Sequence, residues 1–289
     1  MAKKNEIQKV TPSFDITTRP DYLGTDIVGV DSMKSLQVFP RFKIVQKQAD
    51  AEILKQYGSG DVIIVPEMKQ VTSMPRLKNG QPDLENSPHF KLVPLFFYFE
   101  WLTINPIEMK GVMPTIAGRT LNPNDPLVAK SKNQKLRQEP LLDDNGKQIM
   151  KDGKPLFIRH IENICFICTL FDHPLAGDLT DYTTLSFAKG EWFAGSRWAN
   201  LIRQRKASIY ANIFEAQVVF RDNKRGQDWL GVDVNNPTEG SPWVSDEQYK
   251  LFGKVHDELE ALFKERRIGS SFEEEPMGAG IDPNEKQEF

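Results

Sequence analysis

Residues 183–234 read TTLSFAKGEWFAGSRWANLIRQRKASIYANIFEAQVVFRDNKRGQDWLGVDV, and the change of period inside them decides the fold class. Between positions 189 and 205 apolar residues recur at helical spacing. Ala194, Trp198, Leu201 and Ile202 share a face, while Arg197, Arg203 and Gln204 lie away from it. From position 208 to 220 the period drops to two, which is the alternation of a strand. Tyr210, Asn212, Phe214, Ala216, Val218 and Phe220 then fall on one side, and Ile209, Ile213, Glu215, Gln217 and Val219 on the other. RDNKRGQD at 221–228 closes a hairpin with Lys224 and Arg225 at its tip, and residues 229–234 return. Helix followed by hairpin, with long strands elsewhere, predicts an α+β chain.

Upstream of this stretch the signals are mostly extended. Residues 1–27 are polar and aperiodic and read as a flexible arm. In FPRFKIVQ (39–46), Phe42 and Ile44 fall on one face and Arg41, Lys43 and Val45 on the other, and Pro40 limits the strand to an edge or a strand start. Residues 49–57 suggest a short helix stopped by Gly58. DVIIVP (61–66) is a continuous apolar strand, and residues 68–87, rich in Pro, Gly and Asn, read as loop. FKLVPLFFYFEWLTI (90–104) is the most hydrophobic segment and reads as a buried strand. Residues 105–125 read as irregular, and 127–155 as a flexible excursion with turn signals at Asn145-Gly146 and Asp152-Gly153. Residues 157–171 return to a strand.

Downstream, Ser245 with Gln248 three residues on has the spacing of a capping box. Phe252, Val255, Leu259, Leu262 and Phe263 form the apolar stripe of the helix that follows. Residues 269–289 read as a disordered acidic tail, and residues 28–268 as one composite β-rich core, barrel-like in outline. Residues 270–289 carry a net charge of −5, which leaves +2 for residues 1–269. A mildly basic body with an acidic end bears on partners rather than on fold.

No apolar run approaches the roughly 20 residues of a membrane span, and the charged start MAKKNEIQKV lacks the apolar segment of a secretory signal. With only two cysteines, Cys165 and Cys168, a reduced cytoplasmic setting is expected. The set His160-x4-Cys165-x2-Cys168-x4-His173 has residue types that suit zinc. Its intervening residues read as strand, however, where two cysteines three apart point to opposite faces; buried strand cysteines is the favoured reading. No P-loop, dinucleotide fingerprint, metalloprotease motif or nucleophile elbow occurs in the sequence. The expectation is a non-enzymatic protein without a cofactor.

Three of the five tryptophans lie at 192, 198 and 229, next to Arg203, Arg205 and Lys206. Single strands of nucleic acid are held by cations that neutralise phosphates and by rings that stack on bases. The candidate contacts are Trp192, Arg197, Arg203, Arg205, Lys206, Tyr210, Lys224, Arg225 and Trp229, with Arg41 and Lys43 on the early strand. Trp198, on the helical stripe, reads as core.

The segments VFPRFKIVQ, DVIIVP, KLVPLFFYFEW, LSFAKGEWFAGSRWANLI and SIYANIFEAQVVF, in that order, resemble proteins from the replication regions of tailed bacteriophages, some of which are considered single-stranded DNA-binding proteins. The resemblance spans about residues 28–265. It implies an OB-related β-barrel-like core and sequence-independent binding of single-stranded DNA in phage replication or recombination, in the host cytoplasm. The acidic end closing on Phe289 separately resembles the tails of bacterial and phage single-stranded DNA-binding proteins. That resemblance implies that Glu285, Glu288 and Phe289 recruit replication or recombination proteins. The alternative is a non-enzymatic accessory protein of a viral replication, transcription or virion assembly, in which the same aromatics form a protein interface.

Overall fold

The computed structural model describes residues 37–49, 51–109, 111–176, 182–223, 226, 228–265 and 267–270. The strands are β1 (Gln37–Phe39), β2 (Arg41–Ile44), β3 (Val62–Val65), β4 (Lys69–Thr72), β5 (His89–Ile104), β6 (Ile116–Thr120), β7 (Gln138–Pro140), β8 (Met150–Lys151), β9 (Lys154–Pro155), β10 (Phe157–Phe171), β11 (Thr183–Ala188), β12 (Phe214–Asp222), β13 (Asp228–Asn235) and β14 (Ile268–Ser270). The helices are α1 (Ala51–Gln56), α2 (Pro126–Lys132), α3 (Trp192–Gln204) and α4 (Asp246–Lys264). The fold is mixed α+β. No helix among the described residues is long and apolar enough to cross a membrane.

Ten strands form one sheet. Its main path runs β13-β12-β5-β10-β11-β2-β3-β4, with β6 added to β5 and β7 to β10. The spine is the antiparallel pair β5–β10, which runs in register from Lys91↔Phe171 to Ile104↔Arg159 with a bulge between Ile167 and Cys168. These two apolar runs are long enough that each serves two neighbours on its far edge. β5 takes β12 at one end and β6 at the other, and β10 takes β11 and β7.

Alternation along the spine gives the sheet two apolar faces. On the inner face, Phe166, Ile164 and Leu92 join Phe42, Ile64, Phe187, Trp198, Phe214, Val218 and Val232 in the main core. On the outer face, Tyr98, Leu95, Cys165 and Ile167 meet Val255 and Leu259 of α4. A third small cluster, Val45, Tyr57 and Ile63, seats α1. The α4 N-terminus closes as its sequence predicts: Ser245 accepts from the Gln248 amide at 3.2 Å, and the Gln248 side chain accepts from the Ser245 amide at 2.9 Å.

The main core contains side chains from both ends of the strand order, so the sheet curls around it. It does not close into a barrel, in contrast to the barrel-like expectation. Side chains occupy the edges where a closing strand would lie. The Gln46 amide donates to the Leu230 carbonyl at 2.8 Å and accepts from the Leu230 amide at 3.0 Å, which satisfies both backbone groups of a residue on the β13 edge. Lys47 and Asp228 pair beside it at 2.9 Å. On the opposite edge, His173 Nε2 donates to the Val71 carbonyl at 2.8 Å while its Nδ1 accepts from the Leu175 amide at 3.1 Å. Side-chain caps of this kind hinder pairing with further strands at those points.

Several segments differ from their sequence reading. The residues read as loop at 68–87 contain β4, and those read as irregular contain β6. The excursion at 127–155 carries α2, which Asp125 caps through the Leu127 amide at 2.9 Å, and β7 to β9. Both turn signals there do form turns: Gly146 has φ +74°, and Asp152-Gly153 at +52° and +76° joins β8 to β9. The strand expected from 208 instead opens with a 3-10 turn at Ile209–Ala211. Asn212 Nδ2 holds that turn through the Ser208 carbonyl at 2.7 Å, and the Ile213 amide pairs with Pro242 at 2.9 Å. Tyr210 therefore packs on the outer face, opposite Phe214 rather than beside it. At the end of the core, β14 pairs in parallel with β1, so residues 268–270 belong to the fold. Residues 1–36 and 271–289, including Glu285, Glu288 and Phe289, lie outside the described residues, as do Lys224 and Arg225.

Removing the seam side chain, Gln46→Ala, is expected to cost about 1–3 kcal/mol by leaving the Leu230 backbone groups to imperfect hydration. Denaturant unfolding measures this loss, and hydrogen exchange should speed up at the Leu230 amide. Unchanged stability and exchange would show that the seam contributes nothing.

Candidate nucleic-acid interface

Helix α3 is fixed to the inner face by one buried ring. Trp198 lies 4.0 Å from Phe166 and edge-on to Phe187 and Phe214 at 6.1 and 5.7 Å, between ring centroids. Gly195 allows the close approach, since a Cβ there would stand 2.7 Å from Phe187. With that side of the helix buried, Phe193, Arg197, Asn200, Arg203 and Gln204 form the exposed row.

The N-terminal end of α3 is built from tryptophan–carboxylate pairs. Glu162 of β10 accepts from Trp101 Nε1 at 2.9 Å and from Trp192 Nε1 at 3.1 Å. Glu191 accepts from Trp229 Nε1 at 2.8 Å and from the Val232 amide at 3.3 Å, and pairs with Arg221 at 3.3 Å. Asp233 takes Arg221 at 2.5 Å and Arg197 at 2.6 Å. Burial works against the Asp233 charge, but hydrogen bonds and charge from Arg197 and Arg221 hold its pKa below the ordinary value. Trp192 and Trp229 thus act as struts between α3 and the sheet. Their indole groups are engaged, and Trp229 is pressed against Gly190, where a Cβ would stand 2.7 Å away.

At the other end of α3 the chain crosses from the inner face to the outer one, and four of the predicted residues meet there: Arg203, Arg205, Lys206 and Tyr210. The Arg205 guanidinium lies 4.3 Å from the Phe214 ring centroid and 5.5 Å from that of Trp243. It donates to the Pro242 carbonyl at 2.8 Å and to Asn236 Oδ1 at 2.6 Å. Burial lowers its pKa, yet an arginine remains charged. Arg205 therefore anchors the loop that carries Trp243, a ring 44% exposed. Tyr210 packs 5.1 Å from Tyr249, which is 40% exposed and hydrogen-bonded to Ser208 at 3.2 Å. Arg203 and Lys206 are exposed at the helix end. Sequence reasoning missed Trp243 and Tyr249. Pro242 beside Trp243, in a loop of turn residues, was the available signal that this ring is held away from a strand core.

The remaining predicted residues that are described do not join this cluster. Arg41 is buried on β2 and Lys43 half-buried, both on the outer side of the sheet, opposite α3. The Cys165 and Cys168 thiols are buried in the outer and inner cores respectively, and burial pushes both pKa values up. Cys165 lies 3.6 Å from Glu100, a buried carboxylate that Arg119 neutralises at 2.7 Å and Asn163 bonds at 2.8 Å. No group of three or more His, Cys, Asp or Glu among the described residues is arranged to hold a metal ion.

Lys189, which opens the turn before α3, is unusual in two ways. Its φ of +53° lies in the left-handed region, and burial of its ammonium group, with the Arg159 charge beside it, lowers its pKa from 10.5 to about 7. Between these values the unfolded chain holds a proton that the folded chain has released, so this group makes stability rise with pH from about 7 to about 10. Lys189→Met is expected to raise the unfolding midpoint at neutral pH and to flatten that rise. Thermal unfolding of both proteins across this range tests it, and parallel pH profiles would refute the assignment.

Comparison of the chain with protein-family models, with curated proteins and with solved structures finds no match.

Proposed function

We propose that the chain binds single-stranded DNA without sequence preference, using the C-terminal end of α3 and the Trp243 loop, and serves phage replication or recombination. The supporting observation is the preset geometry at that end. Two exposed rings, Trp243 and Tyr249, are braced by Arg205 and Tyr210, with the exposed charges of Arg203 and Lys206 at the same helix end. Rings held in place before binding lose little conformational freedom when a base stacks on them. Arg205, saturated by the loop, is a positioning residue, and phosphate contact falls to Arg203 and Lys206. The OB-related descent implied by the resemblance belongs to this proposal; the curled sheet drawn together at Gln46 is the feature in its favour.

The acidic residues 271–289 are the internal competitor for this surface, since a polyanion and a phosphate backbone seek the same cations. In the same proposal Glu285, Glu288 and Phe289 form the tip that recruits partner proteins.

A labelled oligonucleotide titrated at low salt tests the function. Binding should weaken as salt rises. Trp243→Ala should lose about 1–3 kcal/mol, roughly 5- to 150-fold in affinity, and truncation after Ser270 should raise affinity. No binding at micromolar protein would overturn the proposal and favour an accessory protein whose exposed aromatics meet another protein.

A further inference from the structure

The end of α3 away from Trp243 carries a second set of cations that the proposed interface does not use. Residues 126–137 contain Lys130, Lys132, Lys135 and Arg137 and no acid. They form α2 and the turn after it, packed against the β5–β10 spine. Lys130 is paired with Glu139 at 2.7 Å, but Lys135 is exposed, and Lys132 is 61% exposed with its ammonium 5.8 Å above the Trp101 ring and 3.6 Å from Glu162. An open depression is lined by Lys132, Asn133, Gln134 and Lys135.

Glu162 ties this patch to α3, because the same carboxylate holds Trp192. Phe193 follows Trp192, stands edge-on to it at 5.5 Å and is 62% exposed. The helix therefore has an exposed ring near each end: Phe193 at its start, next to the Trp192 that shares Glu162 with Lys132, and Trp243 at its finish, where Arg203 and Lys206 are exposed. The exposed row joining them contains Arg197 and Asn200. Thirteen residues of helix span about 20 Å.

We propose that Lys132, Lys135 and Phe193 form a second contact site for single-stranded nucleic acid, so that a strand bound at Trp243 continues along the outer row of α3 to α2. This rests on the proposed function and extends it from a point contact to a track. Glu162 is the internal counter-anion at the far end: it holds Lys132 in place and partly cancels its charge.

The test compares oligonucleotides of about 4 and about 16 nucleotides, the limits of the range for such sites, on the full chain. Lys132→Ala with Lys135→Ala should weaken binding of the long oligonucleotide about 10-fold or more and reduce its log–log salt slope by about 1.4, the release expected for two single-strand phosphate contacts. Binding of the short one should stay within about twofold. Glu162→Gln, which keeps an oxygen acceptor for one of the two indoles and removes the charge beside Lys132, should tighten the long complex. If the long oligonucleotide is insensitive to Lys132→Ala with Lys135→Ala yet loses affinity with Arg203→Ala and Lys206→Ala, the track is wrong and the Trp243 interface stands. If wild-type protein binds neither oligonucleotide, both proposals fall.

Discussion

The β5–β10 pair is the constraint on which the other elements depend. Two antiparallel strands of 16 and 15 residues are buried on both faces and leave no solvated side for a simple amphipathic pattern. Each face must be covered by something else. On the inner face this is the curl of the sheet itself together with α3, and on the outer face it is α4 and the β1–β14 pair. The pair also sets the positions of the buried charges. Side-chain alternation sends Glu162 inward, to the foot of α3, and Glu100 outward, where Arg119 neutralises it and also reaches the Ile268 carbonyl at 3.3 Å. A fully buried carboxylate is tolerated only with such partners, and removing one would leave an uncompensated charge.

Legibility in the sequence followed the strength of local signals. The spine strands announce themselves as long apolar runs, and α4 by a capping box whose two bonds both form. The stripe of α3 placed Trp198 correctly because helical periodicity and burial agree there. β4 and β6 were invisible. They are four and five residues long, polar on one side, and extended because a neighbouring edge needs a partner. α2 did carry a legible signal, Asp125 before Pro126 at the first helical turn, but its surroundings of charge and turn residues concealed it. The curl of the sheet was not legible at all, because the seam that draws it together depends on side chains such as Gln46, whose partner lies 184 residues away.

The candidate site shows the same division. Clustering of Trp and Arg in the sequence points to α3 but cannot separate its two ends. Trp192 and Trp229 look like stacking rings in composition. Their roles are set by Glu162 and Glu191, which lie 30 and 38 residues away in the chain. An indole that donates to a carboxylate under a packed helix has its polar group satisfied and its ring confined, so it contributes to stiffness first. Trp243 comes from a loop of Asn, Pro, Thr, Gly and Ser that reads as a simple linker. It acquires its position from Arg205, which reaches it across the chain reversal.

That arrangement decides which charges can do electrostatic work. A cation whose donors are already used holds a loop in shape but has few left for an incoming phosphate, and this is the state of Arg205. Arg197 is likewise engaged by Asp233, although it is 52% exposed on its solvent side. Arg203 bonds the neighbouring Asn200 side chain at 2.6 Å, a pairing easily exchanged for a stronger anion. The useful positive field therefore lies at the two ends of α3, where the cations stand next to rings, and is weakest at its middle. A surface of this form suits a flexible polyanion that can bridge two short patches better than a compact anion that needs one deep pocket.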